Sequence, residues 1–497
     1  MRGDKETEAR FVAYVEKLGC LLRTKPQRAH FATYAAGILG DSPRKSCEPI
    51  ASLGAESPAE AKRRHDNLLG FLGRSVWDDH ALRLCAARQA IAALAKRSEV
   101  AVWVVDDTGF PKQGKHSVGV QRQYSGTLGK TGNCQIGVSL SVATEHEQVP
   151  VDFELYLPEG WASDPIRRAA AAIPNDVGFA TKIELAIDMI DRAVVAELPG
   201  SIVLADGAYG AAAHFREYIL SIGKDFAVGI QGDAKVWLLD NLGQRDGDSV
   251  KPVELGVALG PKAFRRVTYR VGTKGKMSSR FCFRRVKVAG SGKKKDSEQP
   301  PLWLVIEWPE GEKKPTKFFL TSLRARMSKK EIVRIIKERW HTEQVYSELK
   351  GELGLDHFEG RSFPAWHHHI TVVLCCYAFL VAERSRRFPP SDVSTEGHAN
   401  QRESSAALRG FARLAPPDPR TRSRAVAAPL SHLRPCSQCI SRTLRWWSAR
   451  GEKSAVVLGS TARHRENAPV HPLAPRAMQF VPWPSEPKQR CRRVSLR

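Results

Sequence analysis

Apolar positions in the first 95 residues recur at helical spacing. Phe11, Tyr14, Val15 and Leu18 form one face, and Leu68, Leu69, Phe71 and Leu72 another. Breaks at Gly40-Asp41-Ser42-Pro43 and at 54–58 separate the helices. From Val100 the period changes. Residues 100–105 are an unbroken apolar run leading into Asp106-Asp107-Thr108-Gly109, the pattern of a buried strand ending in a turn. Strands are predicted at 136–143 and 149–157, and an amphipathic helix at 182–198. A second buried strand at 201–205 leads into Asp206-Gly207. A helix at 211–222 and a strand at 225–230 complete an α/β unit. Beyond it, alternating stretches at 265–271, 280–288 and 301–308 read as antiparallel strands. Residues 328–350 read as one long helix. The apolar run at 369–381 is shorter than the roughly 20 residues of a bilayer span and reads as a buried helix.

These elements predict an α/β protein, a mixed sheet with flanking helices. The expected divisions are a helical, DNA-binding domain over 1–97, the first part of a core over 98–230, a β-rich insertion over 231–318, the end of the core over 319–389, and a tail over 390–497. No internal repeat is seen.

Composition narrows the class. The chain has 497 residues with 77 Lys+Arg against 53 Asp+Glu, a net +24, and 42% hydrophobic residues, so wholesale disorder is excluded. A pI near 9.8 calls for a polyanionic partner, most simply nucleic acid, although ribosomal and membrane-surface proteins share such charge. Half of the excess lies in 391–497, where 19 Lys/Arg meet 7 Asp/Glu among 11 prolines; this segment reads as a basic, disordered tail. Ten scattered cysteines suit reduced thiols, and the first residues lack the apolar stretch of a signal peptide. The expectation is a cytoplasmic, nucleoid-associated protein without a membrane partner.

The chemistry gathers where two buried strands each run into Asp. In α/β sheets ligands and metals collect at the carboxyl ends of strands. Carboxylates held there can bind two hard cations and support in-line phosphoryl transfer. Asp is also an ordinary turn residue, so the pair alone is a weak signal. A third carboxylate comes from the predicted helix, where Arg339, Glu343, Tyr346 and Lys350 share one face and Glu338 and Glu348 point away. That face suits a metal ligand flanked by groups that grip phosphate, or else a solvated ladder of ion pairs. Lys293, Lys294, Lys295, Arg284 and Arg285, with Lys287, form a basic surface for tracking phosphates. Trp237, Trp303 and Trp308 beside it read mainly as core. Gly129-Lys130-Thr131 is no P-loop, because Tyr124 stands where the first glycine is required. Cys436 and Cys439 lack a second metal-binding pair at finger distance. His367-His368-His369 cannot all face one metal on a helix, and reads as structural or near DNA.

At this point the sequence resembles bacterial insertion-sequence transposases with a DDE core. One large branch carries Tyr-x-x-Arg-x-x-x-Glu-x-x-x-x-x-x-Lys on its catalytic helix. Arg339, Glu343 and Lys350 match, while Ile336 stands at the Tyr position. Other stretches are similar to the group named after insertion sequence seven-oh-one. They are Val105-Asp106-Asp107-Thr108-Gly109-Phe110-Pro111-Lys112, Leu204-Ala205-Asp206-Gly207-Ala208-Tyr209-Gly210, the run from Gly354 to Ser362, Trp366-His367-His368-His369, and Arg44-Lys45-Ser46 with Glu48-Pro49. The likeness spans roughly residues 10–385. It implies an RNase H-like core interrupted by the β-rich insertion. It also implies a catalytic, metal-binding triad of Asp106 (with Asp107 as the second choice), Asp206 and Glu343. Two divalent cations, Mg2+ or Mn2+, are implied with it. The implied partner is double-stranded DNA, both element terminal repeats and target, bound by a homodimer. A DNA-binding relic that no longer cuts is the alternative reading.

Overall fold

The computed structural model describes residues 2–126, 129–272, 275–289 and 300–387. The expected tail and Lys293, Lys294 and Lys295 lie outside the described residues.

Five helices open the chain: α1 (Arg2–Gly19), α2 (Lys25–Leu39), α3 (Cys47–Ser52), α4 (Pro58–Gly73) and α5 (Asp79–Leu94). Local chemistry sets their starts. Thr24 and Gln27 form a reciprocal capping box on α2, and Ser57 and Asp78 cap α4 and α5. Their apolar faces close on the long helix Phe363–Arg387, whose residues Ile370 to Val381 are all buried. By length and hydropathy that helix could cross a membrane, yet its apolar stretch is buried within the protein. Polar contacts fix the packing. Tyr14 donates to the carbonyl of Cys375 (2.7 Å), Arg83 to Thr371 (2.9 Å), and Arg10 to Glu383 (2.7 Å). The three consecutive histidines serve here as structural groups: His368 stacks on Trp77, His369 meets Tyr34, and His367 meets Glu154.

Among the described residues twelve strands form one mixed sheet: β1 (Val102–Pro111), β2 (Gln121–Ser125), β3 (Lys130–Ala143), β4 (Gln148–Tyr156), β5 (Ile202–Ala205), β6 (Asp225–Ile230), β7 (Val236–Leu239), β8 (Arg245–Val250), β9 (Arg265–Gly272), β10 (Gly275–Val288), β11 (Leu302–Trp308) and β12 (Lys317–Thr321). Their order is β2-β3-β1-β5-β6-β12-β11-β10-β7-β8, with β4 on β3 and β9 on β10. β1, β5 and β6 are parallel; the strands beyond them are antiparallel. The β-rich stretch therefore extends the same sheet through β12. The short strands β2, β7, β8 and β12 were not apparent from periodicity. They carry mixed, partly exposed residues with little alternation to read.

Two glycines let the site form. A Cβ at Gly210 would sit 1.9 Å from the carbonyl oxygen of Gly229, and one at Gly229 would sit 2.9 Å from the nitrogen of Gly207. The turn after β5 can thus lie directly on β6.

Candidate active site

Parallel pairing of β1 with β5 covers Val102–Val104 against Ile202–Leu204 and then stops. Two residues further on stand Asp106 and Asp206. β1 does not end in a turn there, as the apolar run had led us to expect. It continues along β3 to Pro111, with Asp106 opposite Ser139. The long antiparallel partner β3 keeps the strand extended through its acidic residues.

Because strand side chains alternate, the adjacent aspartates face opposite ways. Asp107 pairs with Lys182 at 2.9 Å. Asp106 is buried and faces Arg339, whose Nη2 lies 3.3 Å from its Oδ2. The same nitrogen lies 3.8 Å from Asp206 Oδ2. Asp206 caps the turn that follows β5, its Oδ1 accepting from the backbone of Ala208 (2.9 Å) and Tyr209 (3.4 Å). Burial pushes the Asp106 carboxyl up to about 6, with nearby Asp206 adding to the rise and Arg339 opposing it. Burial works to lower the Arg339 guanidinium, but Asp106 and Asp206 prevail and hold it above its ordinary value. The pair is thus ionic and under strong desolvation.

The single helix expected over 328–350 is two, Lys329–Lys337 and Trp340–Gly351. Between them the N–H groups of Glu338, His341 and Thr342 bond carbonyls three residues back, at 3.0, 3.1 and 3.1 Å. This tightening to 3₁₀-type bonds bends the chain while leaving the apolar period almost intact, so the sequence pattern hides it. Arg339 sits on the bend.

The remaining face is anchored over β1 and β3. The Tyr346 hydroxyl lies 2.6 Å from Ser139 Oγ, and burial raises it well above the ordinary range. Lys350 donates to Thr108 Oγ1 (2.7 Å) and to the carbonyl of Gly109 (2.8 Å). Burial lowers it to about 8, against the pull of Asp356. Glu343 alone on this face is exposed, near enough to Arg339 to help hold its charge. Glu338 and Glu348 do point elsewhere, but both are buried in ion pairs rather than idle: Glu338 meets Arg334 (2.6 Å) and Glu348 meets Arg384 (3.1 Å).

The geometry fits a hard cation. Asp106 and Asp206 are oxygen donors converging from two strands, with one guanidinium between them. Beside them the Tyr209 hydroxyl is buried without a hydrogen-bond partner, in the field of Asp107, Asp106 and Asp206. Tyr209 stands in the stretch that carries Asp206 but has no role in the sequence reading, and Lys182, 75 residues from Asp107, is tied to it by neither spacing nor periodicity.

Elsewhere, Arg284 and Arg285 lie on β10. Arg284 donates to the carbonyl of Phe283, and Arg285 stacks over Trp303 at 4.8 Å. A second cluster, His80, Asp152 and Glu154, has ligand atoms within 4.8 Å of one another. Its carboxylates are already paired with Arg192 (2.7 and 2.8 Å) and with Arg83 (3.1 and 3.7 Å), which also holds Asp79 at 2.6 Å.

Residues 17–276 match the family model described as DDE superfamily endonuclease, a stretch that includes both Asp106 and Asp206. Over 177 residues the chain is 29% identical to a probable transposase for insertion sequence element IS701 from Microchaete diplosiphon. That alignment covers 35% of this chain and 41% of the relative, about two fifths of the relative's length. Among solved structures, similarity extends to a piggyBac transposase synaptic complex with hairpin DNA. It covers 85% of each chain at 11% identity, with a TM-score of 0.32, too low to establish a shared fold.

Proposed function

This chain belongs to the DDE superfamily of endonucleases, and from that premise we propose that it is the transposase of a bacterial insertion sequence. In this reading it cuts the element's ends and joins them to target DNA by phosphoryl transfer. The observation that carries it is the convergence of Asp106 and Asp206 on one arginine at the end of the parallel strands. The core is read as RNase H-like, with residues 231–318 as its β-rich insertion and 1–97 as a DNA-binding region.

Asp106, Asp206 and Glu343 are the residues that would hold the divalent cations, Mg2+ or Mn2+. Such a pair, when bound, supplies Lewis acidity and an activated water for in-line displacement. The protein's own groups do the rest. Asp206 is fixed by its cap, so its other oxygen, Oδ2, is aimed before substrate arrives. The strand carrying Asp106 is pinned from the helix by Lys350 on Thr108 and Gly109, and from β3 by the ladder. Lys182 neutralises Asp107 on the far face, which favours Asp106 as the acting residue. In this reading Arg339 and Lys350 are the cations that meet a terminal phosphate. Tyr346, with its hydroxyl on Ser139, positions the helix. The net charge of +24, with Arg284, Arg285 and Lys293 to Lys295 on the insertion, supports a double-stranded DNA partner. A homodimer on DNA, in the nucleoid of the cytoplasm, completes the reading.

The test is metal-dependent cleavage of DNA carrying the element's terminal repeats. Asp206→Asn should abolish cleavage and leave DNA binding nearly unchanged. Cleavage by this variant at a near-normal rate would overturn the assignment.

A further inference from the structure

The place of Arg339 bears on how the site is loaded. In each aspartate one oxygen is already engaged with backbone N–H groups: Asp106 Oδ1 with Asp107 (2.8 Å), and Asp206 Oδ1 with Ala208 and Tyr209. The other oxygen of each, Oδ2, faces Arg339 Nη2, which also reaches Asp106 Oδ1 at 3.5 Å. The two Oδ2 atoms are the oxygens that a cation shared by the two aspartates would take. A guanidinium and a divalent cation compete for the same oxygens, because like charges at such range repel.

Arg339 is also placed to leave. It lies on the bend between two helices, outside the regular ladder, and its buried Nε has no hydrogen-bond partner. A donor unspent in this state is available in another. We infer that Arg339 is the resident counter-ion of the catalytic aspartates, exchanged for a divalent cation and thereby turned toward a DNA phosphate. The inference rests on Asp106 and Asp206 being metal ligands and deepens that reading, since metal entry and phosphate capture become one exchange. By linkage, a phosphate that takes the guanidinium must strengthen cation binding, and a cation must strengthen the hold on phosphate.

The experiment titrates Mn2+ into the full chain, following free Mn2+ by electron paramagnetic resonance. Each protein is measured with and without a short DNA duplex, after its melting curve shows that it is folded. Without DNA, Arg339→Gln should bind Mn2+ at least about tenfold more tightly than wild type, the scale set by one opposite charge at this distance. Arg339→Lys, which keeps the charge, should stay within about threefold of wild type. Duplex should raise the affinity of wild type and leave that of Arg339→Gln unmoved. Equal or weaker Mn2+ affinity in Arg339→Gln without DNA would overturn the inference. Asp106→Asn separates the two levels. If it loses the bound Mn2+, the ion counted is at this site; if it keeps it, the ligand reading itself fails.

Discussion

Two glutamates on one helix, five residues apart, should fail in opposite ways. Glu343 is exposed, whereas Glu348 is buried and saturated. Glu348 Oε2 accepts from the Tyr377 hydroxyl (2.9 Å) and Arg384 Nη1 (3.1 Å), and its Oε1 from Gln344 (3.0 Å). Glu348→Gln removes the charge and turns an NH2 group toward donors. Breaking a buried pair costs about 3–5 kcal/mol, and Arg384 keeps Glu147 at 3.1 Å, so the lower end, about 3 kcal/mol, applies. With an unfolding entropy of about 2.1 cal/mol/K per residue over a folded body of roughly 390 residues, that is a fall in Tm of about 4 °C. Glu343→Gln should stay within about 0.5 kcal/mol of wild type in stability and lose strand cleavage altogether. Thermal melting and a cleavage assay on the same preparations decide the matter. The triad is refuted if both variants cut equally well. The burial argument is refuted if Glu348→Gln melts with wild type.

Three further outcomes are expected. Asp107→Asn should cut normally, losing at most about 1 kcal/mol of a partly exposed pair with Lys182, whereas Asp106→Asn should be inactive; the reverse order in a cleavage assay would exchange their roles. Glu338 is pushed up to about 7, chiefly by burial, with Glu145 adding and Arg334 opposing. The folded state therefore holds its proton more tightly than the unfolded chain does, and stability should drop as pH rises from about 4.5 through 7, by at most roughly 3 kcal/mol. Glu338→Gln should flatten that decline in Tm between pH 5 and 8, and parallel curves for the two proteins would contradict it. Deleting residues 391–497, a net +12, should reduce the salt dependence of DNA binding and spare end-sequence preference; loss of that preference would show that the tail reads sequence.

What was legible in the sequence was whatever period and composition encode. The apolar runs before Asp106 and Asp206 marked β1 and β5, and the strand at 225–230 was placed to the residue. The break at Glu338 and Arg339 was not legible, because three-residue and four-residue bonding share nearly one apolar stripe. Nor was the internal engagement of the helix face, since a helical wheel gives direction but not what lies opposite. Arg339 and Lys350 are read from sequence as free cations, and the fold gives them Asp106, Asp206, Thr108 and Gly109 as partners.

The same limit separates the two acidic clusters. At His80, Asp152 and Glu154 the carboxylates meet two arginines, and His367 stands 3.2 Å from Glu154. Asp79 shares Arg83 as well, at 2.6 Å, and these close pairs hold the Asp79 and Glu154 carboxyls below their ordinary range despite burial. Around Asp106 the pairing is looser. Arg339 stands 3.3 Å from Asp106 and 3.8 Å from Asp206, Lys182 is taken by Asp107, and Glu343 acts on Arg339 only through its field. Burial, with Asp206 adding to it, outweighs Arg339 and leaves the Asp106 carboxyl raised, the mark of a charge that is costly to bury. A bound cation would offset that cost, which is why the cluster whose carboxyl is lifted, and not the one whose carboxyls are held low by their partners, is read as the working site.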